Sequence, residues 1–351
     1  MARSIRFQRP GILVAVLLAI GLAGCASTWL AGRPDGPAAL SAAAVSVGPP
    51  RDWRQNPAIV EAVVEGDILA IGDVHGDYDR LMRLLRAGRV IAPAGRIPAI
   101  QWTAGRATLV FTGDLVDKGP KSLDVLALVQ ALGDAAAAKG GRVIVTMGNH
   151  EAEFLADPKA DKVDDFKNEL KDAGIAPKDV ASGRHPLGVY LRALPFGAKV
   201  NDWFFCHAGN TGGKTIRQLS AELQSGVDAG GYGVPAVLGP DSLIEARLSP
   251  EPWWERDTVA PLAVLNRNAL ALGVQHVVMG HQPGGVVFAD GTQRQKGEIY
   301  QKAGLIFLID GGMSQAVDYS QGGMLVIPGP QHSSASVLYP DGKTKAPWPL
   351  R

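Results

Sequence analysis

Five short apolar runs that stop at a polar residue, most of them through a glycine, constrain this chain more than any other feature. Ile68–Ile71 leads into Gly72-Asp73, Leu109–Phe111 into Gly113-Asp114, and Val143–Val145 into Gly148-Asn149. Trp203–Phe205 leads into Cys206-His207, and Val277–Met279 into Gly280-His281. Runs this short, β-branched or aromatic, read as buried strands. Between them, Asp79–Arg86 gathers Leu81, Leu84 and Leu85 on one helical face with Arg83 and Arg86 away from it. Lys121–Leu132 does the same with Leu123, Leu126 and Leu132. Strands alternating with helices predict an α/β fold, whose ligands sit outside the carboxyl ends of the strands. All five polar stops then face one site.

The chain has 351 residues, 46% of them apolar, which suffices for a large core. Lys and Arg number 35 against 34 acidic residues, so no broad positive surface exists for nucleic acid, and none is expected as a partner. Arg3, Arg6 and Arg9 precede the apolar run Gly11–Ala23, the charge-then-apolar order of a bacterial export signal. The run is shorter than the roughly 20 residues of a membrane-spanning helix. It ends in Leu22-Ala23-Gly24-Cys25, which resembles a lipoprotein cleavage site; a plain signal peptide is the alternative. The expectation is a signal peptide over 1–24, a lipidated Cys25 with a flexible Ala/Gly/Ser/Pro tether to residue 50, and a catalytic domain over 51–351. Ala26 resembles the residue after the lipidated cysteine in outer-membrane lipoproteins. The expected location is thus the cell envelope, facing the periplasm, with the lipid as the membrane contact. Cys206 is the one other cysteine, so lipid on Cys25 precludes an intramolecular disulfide.

Asp, His and Asn side chains at adjacent strand ends are donors suited to Mn²⁺, Fe or Zn²⁺. They occur in Gly72-Asp73-Val74-His75-Gly76, in Gly113-Asp114-Leu115-Val116-Asp117-Lys118-Gly119, and in Gly148-Asn149-His150-Glu151. His207 follows in Cys206-His207-Ala208-Gly209, and His281 in Gly280-His281-Gln282-Pro283. Cys206 itself reads as a small core residue rather than a nucleophile. The stretch Phe154 to Arg184, dense in Lys, Asp and Glu, reads as a helical cap inserted over about 152–186; a solvated surface excursion fits the same composition.

In this order the motifs resemble those of the calcineurin-like phosphoesterases, and Gly148-Asn149-His150-Glu151 is similar to the phosphoprotein phosphatase branch. Arg184–Arg192, Trp254-Glu255-Arg256 and Ile309–Ser314 look most like the bacterial Shewanella-like phosphatases. The resemblance runs from about Ile68 to about Ser314. It implies a metallophosphoesterase-type β-sandwich flanked by helices, and two divalent metals as cofactors, Mn²⁺ foremost, with Fe or Zn²⁺ as alternatives. Asp73, His75 and Asp114 would hold one metal, and Asp114, Asn149, His207 and His281 the other. Asp114 would bridge ions roughly 3.5–4 Å apart, and a hydroxide between them would attack phosphorus directly. His150 matches the family's general acid, with Asp117 hydrogen-bonded to its imidazole. Lys118 departs from the Arg that close families use to grip phosphate; Lys offers a point charge in place of a planar fork, which predicts weaker or broader phosphate binding. Arg256 aligns with a second phosphate-binding Arg.

Other roles fit some of these residues. His150 also reads as a metal ligand, Asp117 as a helix-start carboxylate, and Arg256 as half of a surface ion pair beside Glu255. His276 and His332 read as structural or solvent-facing, and His185 as either that or substrate-facing. The resemblance implies a phosphomonoesterase acting on phosphoproteins, phosphotyrosine among them, or on small phosphate esters. A dinucleoside polyphosphate hydrolase is the alternative suggested by His207-Ala208-Gly209, although Glu151 and the long insertion depart from that family. A metal-binding lipoprotein without catalysis is a third reading.

Overall fold

All five apolar runs form strands in the computed structural model, which describes residues 50–95, 97–256, 258–317 and 320–347. The expected signal peptide, Cys25 and the expected tether up to residue 49 lie outside the described residues. Among those described, no helix is long and apolar enough to cross a membrane. The strands are β1 (Ile59–Ala62), β2 (Ile68–Ile71), β3 (Thr108–Phe111), β4 (Arg142–Val145), β5 (Gly197–Val200), β6 (Trp203–Cys206), β7 (His276–Met279), β8 (Tyr300–Lys302), β9 (Ile306–Leu308), β10 (Met324–Ile327), β11 (Ser336–Leu338) and β12 (Thr344–Lys345). The helices are α1 (Tyr78–Ala87), α2 (Ser122–Ala137), α3 (Asn149–Ala156), α4 (Asp164–Asp172), α5 (Pro177–Ala181), α6 (Pro186–Ala193), α7 (Ile216–Gly230), α8 (Pro235–Leu238) and α9 (Pro261–Leu272).

Two six-stranded sheets result, ordered β1-β5-β6-β7-β9-β8 and β12-β11-β10-β2-β3-β4. Their parallel centres set the site. Ile71 pairs with Phe111, and Phe111 with Val145, so β2, β3 and β4 end level. Cys206 pairs with Met279, and Met279 with Leu308, so β6, β7 and β9 do the same in the other sheet. Residues of β2, β3 and β6 are buried along their whole length, as strands covered on both faces must be. Alternate residues face each way. Ile68, Ala70, Val110, Ile144, Ala198, Phe205, Val278 and Leu325 fill one core shared by the two sheets. Leu69, Ile71, Leu109, Phe111, Phe204, Cys206 and Met279 join the helices in another. Cys206 is therefore a core residue, and burial pushes its thiol up to about 12.

α1 starts where Asp77 accepts from the Arg80 amide. α2 runs past Leu132 to Ala137, because Ala135, Ala136 and Ala137 are strong helix formers that outweigh Gly133. Its N-terminus has no side-chain cap of its own. Glu169 of α4 supplies one, accepting from the Ser122 and Leu123 amides at 2.8 Å each. The stretch expected as a cap is helical, comprising α4 and α5 with the end of α3, and it touches the loop after β3. At the start of the described chain, Arg51 donates to the carbonyls of Arg192, Ala193 and Leu194 at the end of α6. It also lies over the Trp53 ring.

Candidate metal centre

The level strand ends deliver side chains from both sheets to one place: Asp73, Asp114 and Asn149 after β2, β3 and β4, and His207, His281 and Asp310 after β6, β7 and β9. The turns are tight. His75, Asp114, Asp117, Lys118 and His281 all adopt positive φ, from 46° to 67°. For residues with a Cβ that costs on the order of 1–3 kcal/mol each, a strain that collects where function requires a fixed geometry. Two glycines permit the close approach. A Cβ on Gly148 would collide with Asp114 Oδ1, and one on Gly280 with Asp73 Oδ1.

Side-chain donors converge accordingly. His207 Nε2 lies 2.9 Å from Asn149 Oδ1, 3.0 Å from His281 Nδ1 and 3.3 Å from Asp114 Oδ2. On the other side of Asp114, His75 Nε2 lies 3.5 Å from Asp114 Oδ2 and 3.8 Å from Asp73 Oδ2. Backbone carbonyls orient both rings: Thr112 accepts from His207 Nδ1 and Val116 from His75 Nδ1, which turns each Nε2 inward. Two groups of donors with metal-ligand spacing follow, His75–Asp114–His150 and Asp114–His207–His281, and Asp114 belongs to both.

The charges in this pocket call for cations. Asp73, Asp114, Glu151 and Asp310 are all buried, and they lie close enough to repel one another. Burial, then Asp310 and Asp114, hold the Asp73 carboxyl well above its usual range. Burial raises Asp310 to about 6. Burial alone would lower His207, but Asp114 and Asp73 pull it up to about 10, a measure of the negative charge gathered around it. His281 Nε2 is buried with no hydrogen-bond partner. An O/N donor set around buried negative charge fits two divalent ions, with Asp73, His75, Asp114, Asn149, His207 and His281 as the residues to hold them.

His150 sits at the edge of this set. Its Nδ1 lies 3.0 Å from Asp117 Oδ2, its amide donates to Asp114 Oδ1, and its ring meets His75 edge to face. Burial would lower the imidazole, but Asp114 and Asp117 together raise it. Burial would likewise raise Asp117, yet the hydrogen bond from His150 and the Phe166 amide bring it below the ordinary carboxylate value. Asp117 thus also serves as a helix-start carboxylate, for α4 rather than for α2. Lys118 Nζ stands 3.9 Å from Asp117 Oδ2 and is 43% exposed, at the mouth of the site.

Arg256, open in the sequence between a phosphate grip and a surface ion pair, forms an ion pair in the structure. Its guanidinium pairs with Asp241 and donates to the carbonyls of Glu251 and Arg247, because the Trp253–Glu255 turn buries Trp254 and points Arg256 along the surface. The arginine whose charge bears on His281, after burial and His207, is Arg247, which no sequence motif marked. Glu255 accepts from the Ala289 amide and pairs with Lys302. His185 caps α6, His276 stacks on Trp203, and His332 bonds Asn201 and Gly66, so all three are structural. Sequence reasoning also missed Asp310, although its motif was quoted, and the carboxylate of Glu151.

Residues 66–285 match the family model for calcineurin-like phosphoesterases. An uncharacterised protein of Schizosaccharomyces pombe is 43% identical over 84 residues, 24% of each chain. The symmetrical bis(5'-nucleosyl)-tetraphosphatase of Escherichia coli K12 is 43% identical over 86 residues. That match also spans only 24% of this relative's length. Among solved structures, the cold-active protein-tyrosine phosphatase of a psychrophilic Shewanella species superposes with a TM-score of 0.62 over 83% of this chain and 82% of the other. At 20% identity that likeness establishes the shared fold.

Proposed function

Because the chain belongs to the calcineurin-like phosphoesterases, we propose that it is an exported, metal-dependent phosphatase of phosphate monoesters in which His150 is the general acid. The observation that carries this reading is the placing of His150, whose Nδ1 stands 3.0 Å from Asp117 Oδ2 as an ion pair, beside two donor groups that share Asp114. Asp117 beside Nδ1 stabilises the charged form of the imidazole, which supports the acid over the ligand role. When bound, two divalent ions supply Lewis-acid stabilisation of phosphoryl oxygens and a more acidic water. The chain's own groups do the rest. Lys118, and Arg247 braced by the Arg256 guanidinium, draw the dianionic phosphate to the mouth. His150 gives its ring proton to the leaving oxygen while Asp117 balances the charge. Mn²⁺ suits this donor set, as do Fe and Zn²⁺. The export signal and Cys25 support a lipid-anchored, periplasm-facing location.

The partial likeness to the symmetrical dinucleoside tetraphosphatase supports a second reading, hydrolysis of a dinucleoside polyphosphate. Turnover of p-nitrophenyl phosphate and of diadenosine tetraphosphate, each with Mn²⁺ and after chelation, separates the two. The monoesterase reading expects chelator-sensitive release of p-nitrophenol. Cleavage of the dinucleotide alone would replace that reading with the second, and no turnover by a metal-loaded protein would remove both.

A further inference from the structure

We infer that Glu151 is a positioning residue that holds the metal-binding loops in register through their backbone amides. The carboxylate is fully buried and makes no contact with solvent. Its Oε2 accepts from the amides of Asp114 and Gly148, both at 2.9 Å. Its Oε1 accepts from the amides of Leu115 at 2.8 Å and Val116 at 3.2 Å. One side chain therefore ties the loop after β3 to the loop after β4, though the two strands already end level. The ties reach three of the six proposed ligands. Asp114 is held through its own amide in a positive-φ conformation it would otherwise leave. Asn149 follows the Gly148 amide in the chain, and Gly148 can be nothing larger because Asp114 Oδ1 presses against it. His75 is reached through Val116, whose N–H donates to Glu151 and whose carbonyl, in the following peptide unit, accepts from His75 Nδ1.

The chemistry requires a carboxylate here rather than an amide. All four neighbours are N–H donors, two on each oxygen, and a carboxylate is an acceptor on both sides. A glutamine presents one oxygen and one NH₂ group. Whichever way it flips, two backbone donors meet a donor, and either the bond that joins the two loops or the pair that fixes the Val116 peptide is lost.

This role rests on the two-metal reading of the site, and its test reads metal binding independently of turnover. Mn²⁺ binding to the full-length protein and to Glu151→Gln is measured by isothermal titration, with folding checked by circular dichroism and kcat and KM measured on p-nitrophenyl phosphate. The folded variant should bind Mn²⁺ at least tenfold more weakly. Its kcat should fall and be restored by excess Mn²⁺, with KM unchanged, a pattern that mere loss of stability does not produce. Unchanged Mn²⁺ affinity in folded Glu151→Gln would overturn the inference. If that variant does not fold, Glu151→Asp replaces it: its shortened carboxylate cannot span both loops, so Mn²⁺ should again bind more weakly, and wild-type affinity would overturn the role. A wild-type protein that binds Mn²⁺ but hydrolyses nothing sinks the phosphatase reading while leaving the affinity comparison intact; one that binds no Mn²⁺ sinks both.

Discussion

At the scale of single residues, His150 gives the sharpest prediction, since it sits within reach of the metal group yet is bonded as an acid would be. His150→Ala should retain metal and slow esters with poor leaving groups by roughly 10²–10⁴, while aryl phosphates, which need less help from a proton, slow less. The rates of p-nitrophenyl and alkyl phosphates check this, and an equal loss on both would return His150 to the ligand set. Five of the six proposed ligands each follow an apolar run, and His75 lies two residues beyond Asp73, so the pattern that marks the strand ends also marks the donors. The triplet left Arg256 open between a phosphate grip and a surface ion pair because it gives no direction: the burial of Trp254 bears on where the next side chain points, and the guanidinium pairs with Asp241. Arg247 carries no local signal, and Asp310 sits in a motif that gives it no role, since their relation to His281 and Asp73 exists only after the sheets assemble.

At the scale of elements, β2, β3 and β6, buried along their whole length, were readable as uninterrupted apolar runs, and so were the buried ends of β4 and β7. β1, β5 and β8–β12 were not, because edge and antiparallel strands of two to four residues take their pairing from neighbours rather than from a pattern of their own. The helical insertion shows what such long-range support does. Its α4 caps α2 through Glu169 and donates its Phe166 amide to Asp117, so the two helices fix the loop that carries Asp117 and Lys118 between them. Glu169→Ala should leave the first amides of α2 without a side-chain acceptor and cost about 1 kcal/mol. A urea denaturation midpoint unchanged from wild type would mean that water serves those amides equally well.

At the scale of the whole molecule, the question is where the catalytic body begins and how far it depends on what precedes it. Arg51 marks the boundary physically. It is only 9% exposed, and its guanidinium takes up the carbonyls at the end of α6 together with those of Asn56 and Pro57. Helix C-terminal carbonyls need such partners when they are covered. Arg51→Ala should therefore cost about 2–3 kcal/mol by leaving several carbonyls unpaired. A chain starting at Pro50 retains all of these bonds and should melt and turn over as the full-length protein does. Cys25→Ser in the full-length chain should change neither property, but should move the protein from the membrane fraction to the soluble one if that cysteine carries the anchor. The two manipulations separate the anchor from the body: melting temperature and kcat report on the body, and fractionation on the anchor. A lower melting temperature for the chain from Pro50 would show that the preceding segment packs on the body, contrary to the tether reading, whereas membrane retention of Cys25→Ser would shift the anchor to the apolar run Gly11–Ala23 itself.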